Sequence, residues 1–269
     1  MPRSERVGHL ATGGRPNVTT WAPGLRVLQP TRLGFLHAAV SPGYTGGMLQ
    51  LDRVTRAYEL GGERAGVFGV SLAVPKGCLA VLAGPSGSGK TTLLQLAGLL
   101  DAPDEGEVLL AGEAVSALPE KARCNLRLRR LGFVFQAFNL VPVLSALENV
   151  MLPLQLQGVS EDAARRRAEA ALERVGLADR RHHRPGQLSG GQQQRAAIAR
   201  ALAPDPLLVL ADEPTASLDH AHGGPLMDLM VELAAERGVT FLVASHDPAV
   251  IARAHRVFRL ADGRLVEAP

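Results

Sequence analysis

The sequence predicts an α/β fold: a buried parallel sheet carrying a phosphate-binding loop, a small antiparallel β subdomain ahead of it, and an α-helical insertion within it. Three observations carry that prediction. An apolar run, Leu79-Ala80-Val81-Leu82-Ala83, leads through Gly84-Pro85-Ser86-Gly87-Ser88-Gly89-Lys90-Thr91-Thr92 into Leu93-Leu94-Gln95-Leu96-Ala97. Strand, glycine loop and helix in that order give a Gly-x-x-x-x-Gly-Lys-Thr stretch its chemistry. Two further apolar runs, residues 207–211 and 239–244, have the length and composition of strands buried on both faces. Between the loop and the first of these, residues 137–203 take on a helical character.

Composition bounds the remainder. A chain of 269 residues can bury a sizeable core, and with 46% apolar but only 4% aromatic residues that core must be mostly aliphatic. Cys78 and Cys124 lack metal-type spacing and make no disulfide framework, which fits a reducing cytoplasmic compartment. The pI near 9.2 is misleading about partners. Residues 1–47 hold five arginines and one acid, whereas the rest has 24 Lys and Arg against 25 Asp and Glu. The basic balance belongs to the leader, so no nucleic-acid partner is expected. No run approaches the roughly 18 apolar residues of a spanning helix.

In chain order, residues 1–47 show no sustained period and are rich in Gly, Pro, Thr and Arg, the pattern of a poorly ordered N-terminal extension. Arg26 and Arg32 interrupt any apolar stretch a secretory signal would need. The ordered domain is expected over 48–269: Met48 directly precedes an alternating strand pattern, and both a translation start there and a functional extension before it fit. A chain beginning at Met48 is expected to fold and bind nucleotide. Residues 51–54 and 69–74 read as antiparallel strands, with Tyr58 between them either packing or stacking on a base. Strands follow at 106–112 and 131–135, the latter delivering Gln136. Ala164, Ala168, Ala171, Leu172 and Val175 share one helical face, leaving Arg165, Arg166 and Arg167 as a solvated face. Residues 257–260 and 264–266 around Asp262-Gly263 read as a hairpin.

The chemistry is concentrated in a few places. Gly84, Gly87 and Gly89 permit backbone conformations that aim successive N–H groups at phosphate oxygens, and the following helix N-terminus adds partial positive charge. Lys90 would reach the β- and γ-phosphates and Thr91 a Mg²⁺ ion. The bland alternative is a glycine-rich turn. Strand 207–211 ends in Asp212-Glu213, where the first acid can hold Mg²⁺ and the second can accept a proton from attacking water. Leu188-Ser189-Gly190-Gly191-Gln192-Gln193-Gln194-Arg195 opens a helix, a second N–H-rich anion site in a chain with one phosphate loop. Two copies paired head to tail would give that second site a nucleotide to bind.

At this point the sequence resembles the ATP-binding cassette family, whose signature is Leu-Ser-Gly-Gly-Gln, with Gln136, Ser217-Leu218-Asp219 and His246 following the family order over about residues 49–267. The resemblance implies a P-loop NTPase (RecA-like) core and an inserted α-helical signature subdomain at about 137–203. It makes Tyr58 an adenine-stacking residue and places Gly84, Pro85, Ser86, Gly87, Ser88, Gly89, Lys90, Thr91 and Thr92 on the ATP phosphates. Gln136 and Asp212 join Thr91 at Mg²⁺, Glu213 becomes the catalytic base, and His246 contacts the γ-phosphate with Gln136 and Lys90. Ser189, Gly190, Gly191 and Gln192 would bind the partner subunit's nucleotide, with Asp219 at the dimer interface.

Phe138-Asn139-Leu140 and Ser145-Ala146-Leu147-Glu148-Asn149-Val150 are similar to the lipoprotein-release, macrolide-export and cell-division subgroup. That subgroup implies a homodimeric ATP hydrolase at the cytoplasmic face of the membrane, driving a separate integral membrane permease. A cell-division-type regulatory role is the alternative, and a soluble cassette ATPase a more distant one. Cys78 in place of a glutamate, Ala216-Ser217 in place of Gly-Asn, and Gly223-Gly224-Pro225 at the opening of a helix depart from the subgroup pattern. The permease is expected to dock on residues 137–150, where Phe138, Leu140, Val141, Val143, Leu144 and Leu147 are unusually apolar for a chain leaving a sheet.

Overall fold

A computed structural model describes residues 47–60, 63–218 and 220–267; the expected N-terminal extension lies outside them. Among the described residues ten strands form two sheets. β1 (Gly47–Leu60), β2 (Glu63–Pro75), β4 (Glu105–Leu110) and β5 (Glu113–Ala114) make an antiparallel sheet in the order β2-β1-β4-β5. The second sheet, in the order β10-β9-β3-β8-β7-β6, contains β3 (Leu79–Ala83), β6 (Leu131–Val134), β7 (Leu208–Asp212), β8 (Thr240–Ser245), β9 (Arg256–Ala261) and β10 (Arg264–Glu267). All its pairings are parallel except the terminal β9–β10 hairpin.

The parallel strands divide their side chains between two cores by simple alternation. Leu79, Val81 and Ala83 of β3, Val209 and Ala211 of β7, and Phe241 and Val243 of β8 face one cluster, built with helices α3 (Ala146–Leu156), α4 (Glu161–Arg174), α5 (Gly190–Leu202) and α6 (His220–Arg237). Ala80, Leu82, Leu208, Leu210, Leu242 and Ala244 face the other, shared with α1 (Lys90–Ala97) and the antiparallel sheet. Burial on both faces explains why these strands read as unbroken apolar runs.

Several boundaries differ from the sequence reading. The first hairpin is much longer than two short strands, because its pairing register shifts on either side of Val54 and Arg53 takes a φ of 46°. Such bulges break the alternation on which strand recognition depends. Helix α2 (Glu120–Arg130) was not expected: none of its residues is fully buried, and Glu120 is paired with Arg123 and Arg127 at 2.7 Å each. Gly223-Gly224-Pro225 does not open a helix but lies inside α6. The predicted apolar face of α4 is buried as expected, and Arg165, Arg166 and Arg167 are exposed.

Residues 137–145 are not helical. They are folded by polar groups: Arg200 of α5 donates to the carbonyls of Phe138 and Asn139, which have φ values of 59° and 50°. The fully buried Asn149 accepts from Val141 N–H at 2.7 Å and donates to the carbonyls of Val141, Leu144 and Ser145 at 3.1, 3.2 and 2.9 Å. Ser145 and Glu148 form a capping box that starts α3. Replacing Asn149 by leucine keeps the branched shape of the side chain but leaves those buried backbone groups unanswered, at a cost of about 2–4 kcal/mol. The expected result is a lower urea midpoint with an unchanged m-value.

Candidate active site

The site lies along the carboxyl ends of parallel strands, where α/β sheets place ligands. β3 runs into the phosphate loop, β6 toward Gln136, β7 into Asp212 and Glu213, and β8 into Ser245 and His246. Register fixes their proximity: Ala83 pairs with Ser245, Asp212 with Ala244, and Val134 with Ala211.

The loop is held from outside. A Cβ on Gly84 would lie 2.4 Å from the Leu260 carbonyl oxygen, and Gly87 and Gly89 have φ values of 80° and 100°. Gly263 N–H donates to the Ser88 carbonyl at 3.1 Å, so the β9–β10 turn braces the loop. Lys90 is only 7% exposed; its Nζ donates to the Gly84 and Pro85 carbonyls at 2.8 and 3.0 Å and stands 4.0 Å from Glu213 Oε1. Pro85 and Ser86 are exposed on the loop, and Thr91 and Thr92 lie in the first turn of α1. Ser88 Oγ is buried without a partner among the described residues, which fits a loop shaped for acceptor-rich phosphate.

Both acids of the β7 end meet this loop. Thr91 Oγ1 donates to Asp212 Oδ2 at 3.1 Å. The Asp212 carboxyl is raised above the usual carboxylate range, first by burial and then by the Glu213 charge, against the opposing pull of Thr91 and Lys90. Glu213 takes a φ of 45°, an uncommon conformation for a residue with a Cβ. Its carboxylate is gripped on both oxygens: His246 Nδ1 lies 2.8 Å from Oε1, and Ser245 Oγ donates to Oε2 at 3.3 Å. Thr91 Oγ1 and Asp212 form a hard-oxygen pair suited to Mg²⁺. The described residues hold no cluster of three or more His, Cys, Asp or Glu able to cage a metal alone, and Mg²⁺ bound with phosphates needs only one or two carboxylates.

The remaining predicted residues form two other groups. Ser189 caps α5, its Oγ accepting from Gln192 N–H at 3.3 Å while Gln192 Oε1 accepts from Ser189 N–H at 3.0 Å. The nearest groups to a Cβ on Gly190 are Phe138, Ser217 and Leu218 at 3.7–3.8 Å, and Gly191 follows in the same first turn. Ser217 Oγ donates to the Gln136 carbonyl at 2.9 Å, and the Gln136 side chain is exposed. The signature, the Gln136 segment and the Ser217 loop therefore adjoin one another. Tyr58 belongs to a third group, where its hydroxyl donates to Asp101 Oδ2 at 2.8 Å. Asp219 lies outside the described residues. Sequence reasoning missed the grip of Ser245 on Glu213 and the acids around Tyr58; a serine and two aspartates in strand ends and turns carry no periodic signal.

Comparison with known proteins agrees with this arrangement. The family model described as ABC transporter matches residues 67–216. The chain belongs to the ABC transporter family. It is 49% identical to the lipoprotein-releasing system ATP-binding protein LolD of Paramagnetospirillum magneticum, covering 81% of this chain and 97% of that protein. It is 47% identical to an uncharacterized ABC transporter ATP-binding protein of Thermotoga maritima, covering 81% and 93%. Among solved structures, a dimeric post-hydrolysis state of the ATP-binding cassette MJ0796 bound to ADP and Pi matches with a TM-score of 0.76 and 41% identity, covering 82% of this chain and 98% of that one. As a family member the chain has the mixed α/β cassette fold and an ATP-binding role.

The electrostatics of Asp212 generate a prediction. A carboxyl whose folded value is raised costs folded stability as pH rises through that value, whereas below the unfolded value both states are protonated and nothing is gained or lost. Asp212→Asn removes the half-buried charge and should raise the melting temperature of the nucleotide-free protein at neutral pH by about 2–4 °C. Dependence of ATP affinity on Mg²⁺ should fall in the same variant, as read by nucleotide titration with and without the ion.

Proposed function

We propose that this chain hydrolyses ATP at a site completed by a second copy of itself, and that closure of the two copies drives a separate membrane permease. The observation that carries the catalytic reading is the grip of Ser245 and His246 on the Glu213 carboxylate, beside Lys90 and the phosphate loop. A carboxylate held on both oxygens is pre-aimed and needs little reorganisation to accept a proton from water. Lys90, now folded onto two loop carbonyls, has the reach to exchange them for β- and γ-phosphate oxygens. Mg²⁺, held by Thr91 and Asp212 with Gln136 alongside, would supply neutralisation of charge on those phosphates. The Ser189–Gln192 helix start presents its N–H groups beside the Ser217 loop, which suits the nucleotide of a partner subunit. The dimeric cassette among the structural relatives supports that pairing.

Glu213→Gln tests the assignment. An amide cannot take the proton, so turnover should fall by about 10²–10⁴ while ATP binding survives and the dimer accumulates. Hydrolysis at the parental rate would contradict the assignment.

The permease reading rests on the relatives' names as transporter subunits and on a groove of about 430 Å³ whose lining includes Leu128, Phe133, Phe135, Leu152, Leu156 and Pro204. Among the described residues no helix is long and apolar enough to cross a membrane, so on this reading the chain works at the cytoplasmic face through its partner. The docking surface expected on residues 137–150 adjoins this groove: in that segment Leu147 is 2% exposed and belongs to the core whereas Val143 is 71% exposed, and Leu156 on the groove is 66% exposed. Leu156→Glu should therefore leave ATP binding intact but abolish co-purification with the permease and its stimulation of the ATPase. Retention of both would place the contact elsewhere.

A further inference from the structure

Tyr58 is surrounded by charges for which the phosphate chemistry has no use. Arg56 and Tyr58 are two apart on β1 and share a face of the strand. The chain that leaves α1 returns to β1 at Asp104, whose N–H donates to the Thr55 carbonyl at 2.8 Å and whose Oδ2 accepts from Ala57 N–H at 2.9 Å. This brings two carboxylates to one guanidinium: Arg56 Nε donates to Asp101 Oδ2 at 2.8 Å and Nη1 to Asp104 Oδ1 at 2.6 Å. Arg56 Cζ stands 5.1 Å from the centre of the Tyr58 ring, and the Tyr58 hydroxyl shares Asp101 Oδ2. One ring face is thus covered by a fixed cation, and the ring's far end is tied to an acid from another segment.

This arrangement does two things to the ring. It removes rotamer freedom that an aromatic side chain near a strand end would otherwise keep, and pre-organisation of that kind raises affinity without a new contact. It also places positive charge against one π-face, drawing electron density toward it and leaving the opposite face better suited to an electron-rich base. The Tyr58 phenol is raised, by burial first and then by its bond to Asp101, so it remains the donor at neutral pH. Hydrogen bonds from Tyr58, Ala102 and Arg56 outweigh burial and keep Asp101 below the usual carboxylate range. We infer that Arg56 and Asp101 are positioning residues for the nucleotide base: they hold the Tyr58 ring with the face opposite Arg56 open to receive adenine. The inference rests on the reading of Tyr58 as the base platform.

The test separates base from phosphates. Affinities of the full chain for ATP and for tripolyphosphate, which lacks base and sugar, are measured for Arg56→Met, Arg56→Lys, Asp101→Asn, Tyr58→Phe and Tyr58→Ala. Arg56→Met and Asp101→Asn should each weaken ATP by roughly tenfold, the scale of one lost charge-assisted hydrogen bond, and leave tripolyphosphate within about twofold. The KM for ATP should rise with kcat nearly constant, and Arg56→Lys should recover part of the loss. In the Tyr58→Phe background Asp101→Asn should cost less than it does alone, because the hydroxyl tie is already gone and only the tie to Arg56 remains to be weakened. Equal loss of ATP and tripolyphosphate would mean a general disturbance of the fold and would overturn the inference. So would unchanged ATP affinity in Arg56→Met and Asp101→Asn while Tyr58→Ala loses it, an outcome that leaves the platform reading intact. Unchanged affinity in Tyr58→Ala would remove the platform and the inference together.

Discussion

Parallel pairing of β3, β8 and β7 is the constraint on which the site depends. Parallel strands leave all their carboxyl ends on one edge, so what each strand delivers there is fixed once the register is fixed. Ala83 opposite Ser245 and Asp212 opposite Ala244 set the loop, the acids and the histidine side by side without any direct bond needing to hold them. The register is in turn protected by burial on both faces: a slip of one residue would exchange the side chains of the two cores. Leu82, fully buried, faces one cluster and its neighbour Ala83 the other, so a slip that exchanged them would leave a void in the first and overpack the second.

Within that frame the charges are deliberately unbalanced. Asp212 and Glu213 are adjacent, Asp212 is raised by burial and by its neighbour, and the cation beside them, Lys90, is occupied by loop carbonyls. Such a site gains from an incoming cation and from a ligand that draws the lysine away, which is the combination a magnesium nucleotide offers. The left-handed Glu213 belongs to the same logic, since a residue held in a costly backbone conformation is one whose side chain direction matters. The proposed closure by a second chain then has a chemical reason: the groups nearest the signature turn at Gly190 are Phe138, Ser217 and Leu218, and its own phosphate loop is not among them.

How much of this was legible in the sequence follows from the kind of signal each part leaves. β3, β7 and β8 are continuous apolar runs because both faces are buried, and the glycine loop has a spacing that little else requires. The family resemblance supplied Tyr58, Gln136 and His246, which spacing alone would have left as ordinary residues. What the sequence hid depends on bulges and on polar ties between distant segments. Arg53 broke the alternation of β1; α2 has no fully buried residue to read; Asn149 folds residues 141–145 through its side chain; Asp101 reaches Tyr58 from 43 residues away. Pro225 was read as a boundary, yet α6 runs through it.

The central claim is that each active site is shared between two copies, and mixed dimers test it most directly. Lys90→Ala disables a chain's own phosphate loop, whereas Gly190→Asp places a carboxylate in the signature turn, where a Cβ has at least 3.7 Å of clearance and the fold should tolerate it. Each variant alone should show only background ATPase activity. Mixing the two gives dimers in which one intact loop faces one intact signature, and activity should return. A mixture that stays at background, although the two chains are shown to associate, would contradict the shared site.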